Sequence, residues 1–213
     1  MSMWEFEQKA KEVGYRMVCG CDEAGAGPLA GPLYAAAVIL PEGLELPYLN
    51  DSKQVTEKRR AVLFDQIIEK AVAYAIVSIS PQEIDELDIL NARMKAMQMA
   101  IDQLSVKADF ALIDGNRDHG SRCAIITPHE LVIKGDSLSA SIAAASILAK
   151  GSRDRYMEEI ADTYPEYQFR QHKGYGTKLH TDMLDQYGPS PIHRRSFLKK
   201  WEARQSGRAK EQG

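Results

Sequence analysis

The sequence predicts an α/β protein, a mixed β-sheet flanked by helices, followed by a small helical and basic C-terminal subdomain. Three observations carry this. Short apolar runs of strand length alternate with segments of helical periodicity in the order strand, strand, helix, strand, helix, strand, strand, helix. After Pro165 the chain becomes basic, aromatic and rich in turn residues. A length of 213 residues with 44% hydrophobic content suits one large domain or a core with an appendage. The expected division is 1–165 for the core, 166–205 for the extension and 206–213 for a disordered tail.

Taken in order, residues 4–13 read as a short amphipathic helix, and "RMVCGCD" (16–22) as a strand that ends on an acid. Its Cys19 and Cys21 share one face, as small buried residues rather than a metal pair; three cysteines in all make no disulfide framework. "LYAAAVIL" (33–40) is a buried strand, and 41–55 is loop-like. Thr56 is placed to cap a helix whose Val62, Leu63, Ile67 and Ile68 share a face. "YAIVSIS" (74–80) alternates as a strand, and Pro81 opens a helical region to about residue 104. "FALID" (110–114) and "ELVIKGD" (130–136) are strands ending in Asp. A long helix follows, with a soft point at Gly151, and a short one lies near 177–186.

Net charge is −3, unevenly spread: from Arg170 onward ten Lys/Arg face four Asp/Glu, net +6, which leaves −9 for residues 1–169. A basic tail end on an acidic body suits a polyanion processed at an acidic centre, although a solvated charged helix explains the tail equally well. No run is long and apolar enough to span a bilayer, and the charged N-terminus lacks a signal-peptide core. The expectation is a cytoplasmic monomer without a membrane partner.

Asp22, Glu23, Asp114 and Asp136 each stand where an apolar strand ends beside a glycine. In open α/β sheets the ligand crevice lies beyond strand ends. Carboxylates gathered there repel unless a proton or cation is shared. Hard oxygen donors favour Mg²⁺ or Mn²⁺, and a pair of such ions suits phosphodiester hydrolysis. Each acid also has a structural explanation: Asp114 as a turn initiator before Gly115, Asp136 as the N-cap of the long helix. Adjacent strand residues face opposite sides. For Asp22 and Glu23 both to bind metal, the strand must twist or end there, or one must use its carbonyl. The loop "GAGPLAGP" (25–32) has the composition of a backbone anion nest, but it is neither a Walker A nor a dinucleotide motif.

Seven segments occur in order: "DEAGAGPLAGP", "NDSK", "EIDELDIL", "LIDGN", "KGDSLSASIAAASILAKGSRDR", "QHKGYGT" and "GPSPIHRRSF". Together they resemble bacterial ribonuclease HII, the type 2 ribonuclease H, from about Val18 to Phe197. The resemblance implies a ribonuclease H-like core. It also implies an endonuclease acting on RNA–DNA hybrids and cutting 5′ of a single ribonucleotide embedded in duplex DNA, with 3′-hydroxyl and 5′-phosphate products. The metal-binding acids fall on Asp22, Glu23, Asp114 and Asp136, with Asp22 and Asp114 holding two Mg²⁺ or Mn²⁺ ions and the others completing the shells. The family's Gly-Arg-Gly reader of the ribonucleotide falls on Gly25, Ala26 and Gly27, so Ala26 departs from it. The family's sugar-packing tyrosine falls on Tyr175. Lys53, Lys150, Arg194 and Arg195 are candidate phosphate contacts, and His172 and His193 either touch phosphate or satisfy local backbone. Asp88 stands where the family commonly has asparagine, and Gly151-Ser152 replaces a β-branched pair. Alternatives are another ribonuclease H-fold nuclease and a junction-binding protein with weakened catalysis. Ribonuclease HIII fits less well, since only 21 residues precede Asp22.

Overall fold

The computed structural model describes residues 2–47, 49 and 56–211, with side chains described to Gly207. Lys53 and the rest of "NDSK" therefore lie outside the described residues. The elements in chain order are α1 (Glu5–Glu12), β1 (Val18–Ala24), β2 (Leu33–Ile39), α2 (Glu57–Lys70), β3 (Ala73–Ile79), α3 (Pro81–Leu87), α4 (Ile89–Asp102), β4 (Phe110–Asp114), β5 (His129–Val132), α5 (Ala140–Thr163), α6 (Phe169–His172), α7 (Lys178–Tyr187) and α8 (Lys199–Glu211). The sheet order is β3-β2-β1-β4-β5. The first three strands form an antiparallel meander, and β1, β4 and β5 run parallel.

Alternation along the strands builds two cores. Cys19, Cys21, Leu33, Ala35 and Ala37 face α3 and α4, meeting Ile84, Met94 and Met97. Ala36 and Val38 face the other way, onto α5 (Ala143, Ala144, Ile147) and α2 (Leu63, Phe64, Ile67). The glycine of "CGC" is required by this second contact. A Cβ on Gly20 would stand 2.1 Å from the backbone of Ser141 and Ile142, so the start of α5 packs directly on β1. Four helix residues on from Ile142 cover about 6 Å, and two strand residues on from Gly20 about 6.6 Å. Ser146 is thereby brought over Asp22, where its hydroxyl favours the charged form of that carboxyl.

Four details differ from the sequence reading. The helix from Pro81 breaks at Asp88, which sits at φ 69° and caps α4 by accepting from Asn91 N at 3.0 Å. The strand over 130–136 stops at Val132. Lys134 then turns left-handed and Asp136 enters a 3-10 turn. α5 is unbroken at Gly151, whose missing side chain makes room for Phe64: a Cβ there would come within 2.7 Å of that ring. The last helix runs through Glu211, into residues read as a disordered tail; its sequence is rich in Lys, Glu, Ala and Arg, strong helix formers.

The C-terminal elements share a core with α5 and the glycine loop: Tyr167, Phe169 and Ile192 pack with Ala30, Met157 and Ala161. Main-chain bonds reinforce the seam. Leu29 N and Ala30 N donate to Gly174 O, Gly31 N to Ile192 O, and Arg194 N to Leu29 O. No helix among the described residues is long and apolar enough to cross a membrane.

Candidate active site

β4 ends at Asp114, one residue past the Cys21–Ile113 pairing, while β1 continues with β2 through Ala24. Beyond Asp114 the β4 side of β1 is therefore open. Asp22 and Glu23 straddle this free edge without any break in the strand. Asp22 leans to α5 and Ser146. Glu23 leans to α4, where Arg93 Nη2 lies 2.7 Å from its Oε1. The strand need neither twist nor end, because the missing neighbour lets both carboxylates reach one space.

Asp114 and Asp136 come from the next two strand ends. Gly135 N donates to Asp114 Oδ1 at 2.6 Å, which ties the turn carrying Asp136 to β4. Asp136 does not cap α5. Ser139 does, its hydroxyl accepting from Ile142 N at 3.2 Å. Asp136 is instead 2% exposed and lines the same cavity as the other three acids. That cavity, of about 430 Å³, is also lined by Gly25, Arg60, Lys150 and Tyr175.

Four carboxylates share this space with the cations Arg60 and Lys150. Burial, then Glu23 and Asp114, pushes the Asp22 carboxyl well above the ordinary carboxylate range. Burial raises Glu23 as well, opposed by the Arg93 guanidinium. Glu23 Oε2 is buried without a hydrogen-bond partner among the described residues. An all-oxygen acidic set with an orphaned carboxylate oxygen fits a hard divalent cation. Among the described residues, however, no three Asp, Glu, His or Cys side chains stand close enough to hold an ion as they are. Glu23 is paired with Arg93 on the α4 side.

Tyr175 is half-exposed at the rim, with Lys150 Nζ 6.0 Å and Arg153 Cζ 5.7 Å from its ring centre. Lys150 lines the cavity and is held by Asp154 at 2.6 Å, which also takes Arg60 at 3.3 Å. Of the glycine loop, Gly25 lines the cavity while Ala26 and Gly27 lie beyond its lining. Arg195 is exposed and away from the lining, its backbone N–H on Asp85.

Arg194 corrects the expectation of a phosphate contact. It is 0% exposed, and its guanidinium donates to Gly31 O (2.9 Å), Ala26 O (3.2 Å) and Gly25 O (2.7 Å). Arg153, unnoticed in the sequence, is equally buried and donates to Pro32 O (3.1 Å), Lys173 O (3.0 Å) and Ala30 O (3.1 Å). Two buried cations thus hold the carbonyls of the loop from below. In a trans peptide the N–H opposes the preceding C=O, so the N–H groups of Ala26 and Gly27 point away from Arg194. Burial, then Arg153, pushes the Arg194 pKa down to about 9, which leaves it charged at neutral pH. Arg60 and Arg93 were also missed, because a charged residue on a helix reads as a solvated face. His172 and His193 are buried on main-chain and side-chain partners rather than facing phosphate.

Comparison with known proteins agrees with this geometry. The profile of the family described as Ribonuclease HII matches residues 19–200. The chain is 48% identical to a ribonuclease HII of Caldicellulosiruptor bescii, over 92% of this chain and 93% of that one. It is 50% identical to one of Shouchella clausii, over 92% and 73%. In structure it is similar to the ribonuclease H2 of Pyrococcus horikoshii, with a TM-score of 0.73 and 27% identity over 89% of this chain and 98% of that one. A five-stranded ribonuclease H-like sheet, the acids at its open edge and these matches lead to one conclusion: the chain belongs to the ribonuclease HII family and is a ribonuclease H hydrolase.

Proposed function

We propose that the chain is a divalent-metal-dependent endonuclease that hydrolyses the RNA strand of RNA–DNA hybrids. We further propose that it cuts on the 5′ side of a single ribonucleotide in duplex DNA, leaving a 3′-hydroxyl and a 5′-phosphate. The observation that carries this is the gathering of Asp22, Glu23, Asp114 and Asp136 around one open cavity with Tyr175 and Lys150 at its edge. The four acids would hold Mg²⁺ or Mn²⁺. Bound there, the ions supply water activation and stabilisation of the leaving 3′-oxygen.

The chain's own groups do the rest. Lys150 offers a cation to the backbone phosphate, its Nζ steadied by Asp154. Tyr175 presents a ring face to the sugar beside the cut. The Gly25–Ala26–Gly27 main chain reads the 2′-hydroxyl, the group that separates RNA from DNA at one nucleotide. Arg194 sits beneath that loop, so its positive charge reinforces the loop from inside rather than from a side chain at position 26.

Asp136→Asn tests the assignment. The variant should bind the single-ribonucleotide duplex as tightly as the parent and fail to cut it. Retained cleavage would remove Asp136 from the chemistry. If the parent binds but does not cut, the chain is a junction binder.

A further inference from the structure

Three histidines of the C-terminal part, His172, His180 and His193, are buried together, 6%, 0% and 3% exposed. Their partners fix every proton. His180 Nδ1 lies 2.9 Å from Tyr175 O, and a carbonyl only accepts, so Nδ1 carries the hydrogen and Nε2 is an acceptor. Nε2 lies 2.9 Å from His193 Nε2, which must therefore be the donor. His193 Nδ1 is then an acceptor, and it takes Ser190 N at 2.9 Å, with Ser190 Oγ at 2.8 Å. His172 Nε2 donates to Tyr167 O at 2.8 Å, and its Nδ1 accepts from Gly174 N at 3.2 Å. The His172 ring stacks on His180 with centres 4.3 Å apart, and Phe169 packs edge-on against both.

This pattern closes only for three neutral rings. A second proton on any of them would drive an N–H against another donor. Burial acts the same way. It pushes His180 down to about 4, His193 to about 3 and His172 below its ordinary value. The charged or titratable groups acting on the rings are Arg195, near His193, and the other rings. Tyr167 packs against His193, with ring centres 5.2 Å apart.

The relay ends on the main chain of Tyr175. Gly174 N is held by His172, and Gly174 O by Leu29 and Ala30. Tyr175 N is held by His172 O, and Tyr175 O by His180 and Thr177 N. The Tyr175 main chain is thus bonded at both N–H and C=O, while its side chain lines the cavity.

We propose that His172, His180 and His193 are positioning residues, a charge-neutral relay that fixes Tyr175 for recognition of the sugar next to the cut. The proposal rests on the function proposed above. None of the three touches substrate; they act through the Tyr175 backbone.

Two measurements on the full chain test it. The first needs no substrate. Two-bond ¹H–¹⁵N NMR of the imidazoles at pH 7 should show three neutral rings, protonated at Nε2 in His172 and His193 and at Nδ1 in His180. A charged ring, or another tautomer, overturns the relay. The second is a mutant cycle on a duplex with one ribonucleotide. His180→Ala should lower kcat/KM about tenfold to a hundredfold. His180→Asn, which keeps a donor where Nδ1 was, should recover most of it. In a Tyr175→Ala background His180→Ala should cost less than about twofold, since coupled residues are not additive. An equal loss in both backgrounds overturns the proposal. If His180→Ala does not fold, Ser190→Ala perturbs the far end of the relay and is judged by the same coupling. A parent chain that leaves the duplex uncut sinks the functional reading, and the NMR result then decides the relay alone.

Discussion

Arg194→Met separates two roles for a residue that the sequence marks only as basic. Methionine has a similar reach but no donors, so three bonds are lost: to Gly31 O, Ala26 O and Gly25 O, at 2.9, 3.2 and 2.7 Å. Each carbonyl left buried without a partner costs about 1–3 kcal/mol. Removing a buried guanidinium gives back part of this as regained desolvation, which leaves a net destabilisation of about 2–4 kcal/mol. We expect that loss in urea denaturation followed by circular dichroism, with the midpoint lowered and the slope unchanged. A residue that met phosphate instead would be nearly silent in stability, within about 0.5 kcal/mol. It would also reduce the salt slope of substrate binding by about one unit. Binding of a single-ribonucleotide duplex across a salt series, with the Asp136→Asn chain as host to prevent turnover, reads the second quantity. Unchanged stability with a shallower slope would refute the strut and restore Arg194 to the surface role.

Other outcomes follow from the same geometry. Gly25 has φ 93°, and an added Cβ would lie 2.2 Å from Nε of the pinned Arg153, so Gly25→Ala should cost about 2–4 kcal/mol. Gly27→Ala, with open space around it, should stay within about 0.5 kcal/mol in the same urea assay. His180 and His193 have folded pKa values below the unfolded value, so their contribution is complete above about pH 6.5 and is lost as the pH falls toward about 4 and about 3. The slope is up to about 1.4 kcal/mol per pH unit for each. The buried Asp22 and Glu23 titrate in the opposing sense, so the check is the difference: His180→Asn/His193→Gln should flatten the fall of stability between pH 6.5 and 5 relative to the parent. Removing the cation that holds Glu23, as in Arg93→Ala, should tighten Mn²⁺ binding about tenfold by electron paramagnetic resonance. Weaker binding would mean that Arg93 orients Glu23 for the ion.

Much of this was legible in the sequence, and the remainder fails for identifiable reasons. The strands declared themselves because period-two alternation and apolar runs report burial directly, as in "FALID" and "YAIVSIS". The acids were legible because they interrupt such runs at their ends. The structural explanation of Asp136 as a cap, open beside the metal one, fails because the left-handed turn at Lys134 leaves the cap to Ser139. The break at Asp88 depends on a positive φ that helical periodicity does not encode. Asp22 and Glu23 seemed to require a distorted strand. The solution lies in where β4 stops, a property of the neighbour. Arg153 and Arg194 were least legible. A buried arginine and a solvated one have the same letter, and only the carbonyl-rich underside of the glycine loop distinguishes them.

The loop itself, with Ala26 between Gly25 and Gly27, is tested by Ala26→Arg. A backbone reader leaves KM unchanged, whereas a lower KM would assign the contact to the side chain.

The most direct measurement maps the cut. A DNA duplex carrying one ribonucleotide, incubated with the chain and Mg²⁺ or Mn²⁺, should be cleaved once, on the 5′ side of that ribonucleotide, to give a 3′-hydroxyl and a 5′-phosphate. The all-deoxy duplex should remain whole, and a chelator should stop the reaction. Cleavage of the all-deoxy duplex at a similar rate, or no cleavage of the ribonucleotide duplex with either ion, would contradict the account.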